Sequence, residues 1–498
     1  MNRRWSVGAW IFVRLLALVH VIAFVSFARQ WRGLIGPRGI LPAGDFFSAV
    51  HQGFGAAAFW KLPSLCWWLG TQGAIPALAF AGVGVALLVF FGFAPGPGLL
   101  FLWIDYLSLA GAGQVFYNFQ WDALLLETTL LAVFFAPWSL RAGWKLAEPP
   151  RLARWLVWWL LFRLMVLSGL VKLASGDPSW RNLSALFVHF QTQPLPTPVA
   201  WYAAHLPHAV LRAACALMFV IELGAPFCLC AGPRVRRACL LALLLFQGLI
   251  ELTGNYAFFN LLTAALCLTA LDDGFWLKLA GVLPRAWRDR LDGASTAAPR
   301  PASGRVLRAF AAVAIVVTSL EFTADFVPAV AASPAVDDLL GLTDSSRSLN
   351  SYGLFAVMTA ERPELIFEGS DDGHDWLPYG FPHKPGNLRR RPDFVAPGQP
   401  RLDWQLWFAA LSPPEDNPWV GSFVAALLQG DPDVLALVAT DPFPNRPPRY
   451  VRVVRYIYAF SSPADRKASG RWWNRVFDDF YLGPVSLRDG AAAGESLR

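Results

Sequence analysis

Ionisable side chains fall inside apolar stretches of this chain at Arg14, Asp105, Asp122, Glu127, Arg163 and Glu222. At membrane depth such residues line proton or ion paths, hold a polar ligand, or pair with one another to clamp a helix bundle. Asp122 and Glu127 are separated by roughly 140° around a helix, so they face different neighbours and do not form a carboxylate dyad. A hairpin turning near Tyr117 and Asn118 would set Asp105 and Glu127 roughly 18 and 14 Å from the turn. At that similar depth, either one is protonated or both share a cationic partner. Arg163 and Glu222 each lie midway along an apolar stretch, and an ion pair between them is the expected arrangement.

No motif turns these charges into a reacting constellation. The chain has no nucleophile elbow, phosphate loop or His-x-x-x-His spacing, and His189, His205 and His208 do not match a metal-ligand pattern. Cys66, Cys215, Cys228, Cys230, Cys239 and Cys267 lie in or beside apolar stretches, and Cys228 and Cys230 would point apart on a helix. No catalytic residue, metal or cofactor is expected.

The elements that must position the charges are membrane helices. Of 498 residues, 55% are hydrophobic and only 15% charged, with 23 Trp, which is membrane-protein composition. Spanning-length runs occur near 9–28, 75–93, 98–116, 119–137, 153–173, 209–231, 238–254, 257–273 and 306–328, so eight or nine spans are expected. In YNFQWDALLLETTLLAVFFAP, residues 117–137, the Leu, Val and Phe side chains return roughly 4 kcal/mol on insertion, while one central acid costs roughly 3. That helix inserts only where neighbours shelter its acids. The N-terminal apolar run is basic at its start but long, interrupted by Arg14 and without a small-x-small cleavage site, so it is expected to stay as the first helix. Residues 42–70, broken by Gly and Pro, are expected to lie at the interface with Trp67 and Trp68 as anchors.

The formal charge of +7 does not signal nucleic acid, because the basic residues fall between apolar runs instead of forming one patch. Arg3, Arg4, Arg141, Lys145, Arg151, Arg154, Arg234, Arg236, Arg237 and the Lys278–Arg308 stretch share one side in a nine-span arrangement, which the positive-inside rule makes cytoplasmic. Arg29, Arg32, Arg38 and Lys61 run against the rule. Residues 280–305 are expected to be a cytoplasmic linker within a membrane domain of residues 1–335.

On the outer side, loop 174–208 opens at Asp177-Pro178, with Trp180 to Phe190 as an amphipathic helix and an extended stretch from Gln193 to Pro198. The turn ELTGNYAFFN, residues 251–260, is expected to meet it. Lys172 at the mouth, Asp177, Trp180, Arg181, Gln193, Asn255 and Tyr256 are thereby the candidate exoplasmic functional surface. Residues 345–498 read as a water-soluble α+β domain with a core of its own. YGLFAVMT and ELIFEGS are expected strands joined at AERP, SDDGHDW a turn, LDWQLWFAAL and WVGSFVAALLQG helices, and RYVRVVRYIYAF a strand. Trp376, Trp404 and Trp407 could stack on a sugar or peptide, although the helical spacing of Trp404, Trp407 and Leu411 favours a core role.

YNFQWDALLLETTLLAVFFAP, LLFRLMVLSGLVKLASGDPSWRNLSALFVHFQTQPLPTPVAWYAAHLP, FVIELGAPF, LTGNYAFFNLLTAALCLTALDD, NSYGLFAVMTAERPELIFEGSDDG, RRRPDFVAPGQPRLDWQLWFAAL and GRWWNR closely resemble the lipase maturation factor family. The resemblance covers roughly 100–275 and 345–485. It implies a multi-pass membrane protein; in animals such factors sit in the endoplasmic reticulum membrane, face the lumen with their C-terminal region, and let dimeric secreted lipases fold and leave active. Arg-rich, Lys-poor usage with abundant Ala and Pro looks like a coding bias of GC-rich bacteria, and with the positive-inside orientation this makes the inner membrane, with a periplasmic C-terminal domain, the expected location. Two readings follow. One is a chaperone-like maturation factor whose partners are membrane lipids and an exported lipase or other secreted client. The other is a membrane-embedded enzyme or transporter of a lipid-like substrate at Asp105, Glu127, Arg163 and Glu222, in an architecture loosely similar to vitamin K-dependent carboxylase.

Overall fold

Prolines set the starts of many helices. The computed structural model describes residues 4–142, 148–280 and 304–487. Its principal helices through residue 324 are α1 Ser6–Ile35, α2 Thr71–Phe90, α3 Pro95–Ala112, α4 Gln120–Phe135, α5 Arg151–Ala174, α6 His208–Gly224, α7 Pro233–Thr253, α8 Phe259–Leu268 and α9 Gly304–Ala324. Pro95 and Pro233 open α3 and α7, while Pro150 and Pro207 immediately precede α5 and α6. There the absent N–H is not missed and φ is already helical. By length and composition, five helices are long and apolar enough to cross a membrane: α1, α2, α5, α6 with its continuation to Cys230, and α9. The expected run 257–273 is a helix of only 10 residues, rising roughly 15 Å, too short to cross alone.

α1 is the axis of the helical part, packed on α2 and α8. Gly82 lets α2 approach closely, since a Cβ there would come within 2.5 Å of the Phe24 ring. The polypeptide passes back and forth between two ends. At one, Val7 N–H donates to Asp273 (2.9 Å), Ala142 N–H to Gly92, and Asp272 receives Arg236 (3.2 Å) and Arg237. At the other, the turns around 35–41, 113–119 and 253–258 gather with the segment 186–195. The expected linker lies almost wholly outside the described residues.

At that second end sits a four-stranded antiparallel sheet in the order β2-β1-β3-β4: β1 Arg362–Ser370, β2 Leu377–Pro378, β3 Tyr450–Phe460 and β4 Trp473–Val485. The register pairs Arg362 with Tyr458 and Phe460 with Trp473. Helices α10 Arg401–Ala410 and α11 Pro418–Gln429 cover one face, with Phe423 packed on Phe367 at 4.9 Å.

Several expectations change here. YGLFAVMT is irregular, because its polar groups bond to the helical part: Trp180 Nε1 donates to Phe355 O (3.1 Å) and Met358 N–H to Asp177 (2.7 Å). Trp180–Phe190 is not one helix but Pro178–Arg181 and Leu186–Thr192, interrupted where Leu183 takes φ +61°. β4 was not expected. Nor do residues 345–487 close a core alone. One buried cluster runs through both parts, joined by an aromatic layer in which Trp121 meets Trp404 at 4.6 Å and Phe116 meets Trp419 at 5.4 Å. Trp404 and Trp407 are thus interior, whereas Trp376 is half-buried under Arg452.

Candidate functional site

Asp122 lies in the first turn of α4, where a carboxylate favours the helix dipole. Its two oxygens receive both terminal nitrogens of Arg401, each at 2.8 Å, and Tyr106 Oη donates to it at 2.5 Å. Arg401 also donates to Phe116 O (2.8 Å) and lies over the Tyr117 ring at 3.4 Å. Both ions are 0% exposed. This two-pronged geometry suits guanidinium and carboxylate, and Lys could not reproduce it. The cation opens α10, hundreds of residues further along the chain.

Glu127 is deeper in α4 and faces another way. It pairs with Arg163 of α5 and accepts from Tyr352 Oη (2.8 Å) and Asn350 N–H (3.2 Å). Arg163 in turn donates to Asn350 O at 2.6 Å, and Trp103 Nε1 to Ser348 Oγ at 2.7 Å. Residues 348–352 are non-helical and enter the helix bundle. Bare backbone at such depth is tolerated only where protein satisfies it. Glu127 and Arg163 do so, one accepting from the segment and one donating to it.

The expected Arg163–Glu222 pair does not form, because the 348–352 segment and Glu127 occupy Arg163. Glu222 instead receives Lys172 on both oxygens, at 2.8 and 2.9 Å. Lys172 is therefore interior, not at an open mouth. Asp105 is 0% exposed and neither of its oxygens has a hydrogen-bond partner among the described residues; it shares no cation with Glu127. Arg14 lies over the Trp10 ring at 3.9 Å. The five residues of the expected polar network are thus distributed over separate centres.

The seven residues expected to form an outer surface divide. Arg181 is exposed and Asp177 half-buried, while Lys172, Trp180, Gln193, Asn255 and Tyr256 are buried. The correction has a physical cause: the amides that look available in a loop bind other backbone. Asn255 uses its full capacity, donating to Leu195 O (3.1 Å) and Asp393 O (2.8 Å) and accepting from Val395 N–H (2.7 Å) and Ala396 N–H (3.0 Å). Gln193 accepts from Tyr256 Oη at 2.6 Å and donates to Thr253 O at 2.8 Å, so the turn and the loop meet. Arg362, the first residue of β1, donates to Gln191 O (2.8 Å), Gln193 O and Pro194 O (2.7 Å) and pairs with Glu364, which also holds Lys384 at 3.0 Å. Partial burial works against the Asp177 carboxylate, but the N–H groups of Met358 and Ser179 hold it below its usual range. Burial next to Phe190 and Phe355, with Lys172 nearby, pushes the His189 imidazole down to about 4.

What these centres do chemically is join two parts of one molecule. Among the described residues no group of three or more His, Cys, Asp or Glu converges as metal ligands would. Arg401, Tyr106, Asn350, Tyr352 and Arg362 were not anticipated as site residues; a buried Arg in a polar segment carries no local signal.

The lipase maturation factor transmembrane domain matches residues 7–278, and the lipase maturation factor C-terminal domain matches residues 348–483. The chain belongs to the lipase maturation factor family. Human lipase maturation factor 2 is 36% identical, with 96% of this chain and 82% of the relative covered. Human and bovine lipase maturation factor 1 are each 34% identical, covering 96% of this chain and 88% and 89% of theirs. No solved structure matches. This lipase maturation factor family member, with its five spanning-length helices, is a multi-pass membrane protein. Its two family domains are the two parts that the Asp122–Arg401 and Glu127–Asn350 contacts bind together.

Proposed function

We propose that this protein assists the maturation of an exported lipase, acting as a folding or assembly factor and not as the lipase itself. The observation that carries this reading is the match of both family domains, over nearly the whole chain, to relatives named lipase maturation factors. A multi-pass helical part with loop 174–208 and residues 345–487 on the exoplasmic side fits it. The clustering of Arg141, Arg154, Arg236 and Arg237 at the end of the bundle opposite the sheet supports that orientation.

Because the loop residues are largely buried, the client surface is proposed on the sheet instead. Strand β4 is the last in the sheet order and exposes Val476, Phe477 and Phe480. A strand edge with apolar side chains suits an extended segment of a client that has not finished folding. The alternative of an intramembrane enzyme or transporter is disfavoured by the pairing of Glu127 with Arg163, Asp122 with Arg401 and Glu222 with Lys172, which leaves these charges facing each other and not a substrate.

The test is deletion in the native host, with secreted lipase activity and lipase protein measured separately. Activity per molecule of lipase falls and returns with the wild-type chain but not with Phe477→Asp/Phe480→Asp. Unchanged specific activity on deletion overturns the reading.

A further inference from the structure

The end of α3 borders a cavity of about 540 Å³ that none of the contacts above uses. Its walls come from three distant segments: Phe46 to Pro63, Leu107 to Asn118, and Asp344 to Arg347. The volume is in the usual range for small-molecule sites, roughly 300–1,000 Å³. Phe46, Leu62, Leu107 and Val115 supply apolar lining, and Lys61 and Arg347 supply positive charge, opposed by a single acid, Asp344. Neither Lys61 nor Arg347 has an ion-pair partner among the described residues; Lys61 lies over the Phe54 ring at 5.0 Å, and Arg347 donates to Tyr117 O (2.8 Å) and Asn118 Oδ1 (3.0 Å).

Two further observations point to a ligand. Gln114 and Arg347, both lining the cavity, have φ values of +50° and +48°, a conformation costly for side chains that are not Gly or Asn. Such residues persist where the surroundings hold them and gather at binding sites. Lys61 in the cavity wall also adjoins exposed aromatic rings: it follows Trp60, which is 82% exposed, and lies over the exposed Phe54 ring, while the exposed Phe59 stacks on Trp68, which is 71% exposed. Trp and Phe exposed at the end of apolar helices belong at the headgroup level of a bilayer.

We propose that this cavity binds an anionic membrane phospholipid, the phosphate between Lys61 and Arg347 and the first acyl carbons on Phe46, Leu62 and Leu107. Polar and apolar walls side by side suit an amphiphile better than a free anion. The proposal does not depend on the identity of any client.

The full chain, purified in detergent and delipidated, is exposed to dioleoyl phosphatidylglycerol, dioleoyl phosphatidylcholine or glycerol 1-phosphate, and retained molecules are counted by native mass spectrometry. Phosphatidylglycerol is retained roughly tenfold over phosphatidylcholine, the discrimination two basic residues can provide. Lys61→Glu, an exposed change, removes that preference, and Gly111→Trp, which would crowd Leu62 in the cavity wall, lowers binding of both lipids. Lys467→Glu, exposed elsewhere, leaves the preference intact. Equal retention of the two lipids, an unaltered preference in Lys61→Glu at wild-type thermal stability, or binding of glycerol 1-phosphate as tight as the lipid overturns the proposal.

Discussion

Asp122 and Asp105 are both 0% exposed and sit on adjacent helices, α4 and α3, yet their surroundings are opposite. Asp122 is met by a guanidinium on both oxygens and by a phenol, all from segments that only the folded chain brings together. Asp105 is met by no hydrogen-bond donor among the described residues. Burial is therefore not what distinguishes a structural acid from a spare one; the donor set is. Asp122 is the anchor for the C-terminal part, and its neutralisation depends on α10 being docked. The same logic governs Glu127, whose donors Tyr352 and Asn350 belong to the segment that enters the bundle.

Removing one side of the Asp122 pair is the sharpest cut. Arg401→Ala leaves an ionised carboxylate buried without its cation and is expected to cost roughly 3–5 kcal/mol. In detergent, the thermal unfolding midpoint falls and protease sites after residue 345 open, because α10 loses its anchor. Arg401→Met combined with Asp122→Leu recovers much of the loss, since an apolar pair leaves no uncompensated charge. Equal stability of wild type and Arg401→Ala would refute the anchoring role.

Asn255 makes the comparison without charge. Its four side-chain hydrogen bonds tie loop 195 and segment 393–396 to the turn after α7, so Asn255→Ala is expected to cost roughly 2–3 kcal/mol in chemical denaturation. Asn255→Asp loses both donors while keeping the shape, and falls in the same range. A cost near zero for both would mean that water replaces every partner.

This contrast also marks where sequence reasoning reaches and where it stops. The apolar runs located the helices, and the acids inside them correctly implied that α4 needs partners. Periodicity found β1, β3, α10 and α11, because each has enough alternating or helical pattern to read locally. Partner choice was not legible. Arg163 and Glu222 looked like a match by depth, yet depth does not determine azimuth, and Glu127 together with Asn350 takes Arg163. Arg401 sits just after a run of Pro and Gly with nothing nearby to mark it as buried. The loop amides failed for the converse reason: polar residues in a loop look like surface until a distant segment covers them. β4, WNRVFDDFYLGPV, alternates poorly because most of it is exposed and three irregularities disturb its register with β3.

His189 is an intermediate case, a half-buried ring whose Nδ1 is buried and has no hydrogen-bond partner among the described residues. Its pKa falls from 6.5 to about 4 on folding, through burial and the nearby Lys172 charge. The unfolded chain therefore binds the proton more readily between those values. Its contribution is fully present above pH 6.5 and is lost as pH falls toward 4. Thermal midpoints from pH 7 to 4 should drop more steeply for wild type than for His189→Gln; parallel curves would show that His189 takes no part in the acid response.

The smallest effect is expected at Asp105, and it tests the comparison most directly. Asp105→Asn removes a carboxylate that no donor holds, so no partner is orphaned, and stability should change by no more than about 1 kcal/mol. Asp122→Asn, an identical change at identical burial, abandons Arg401 and should cost several times as much. The two variants share chemistry and depth of burial, and the helix dipole at the first turn of α4 adds only about 0.3–1 kcal/mol at Asp122, so a larger gap between their costs reports the donor set. Similar losses at both positions would mean that Asp105 is also held by a donor, and that satisfying a buried acid, not the link to α10, is what both positions supply.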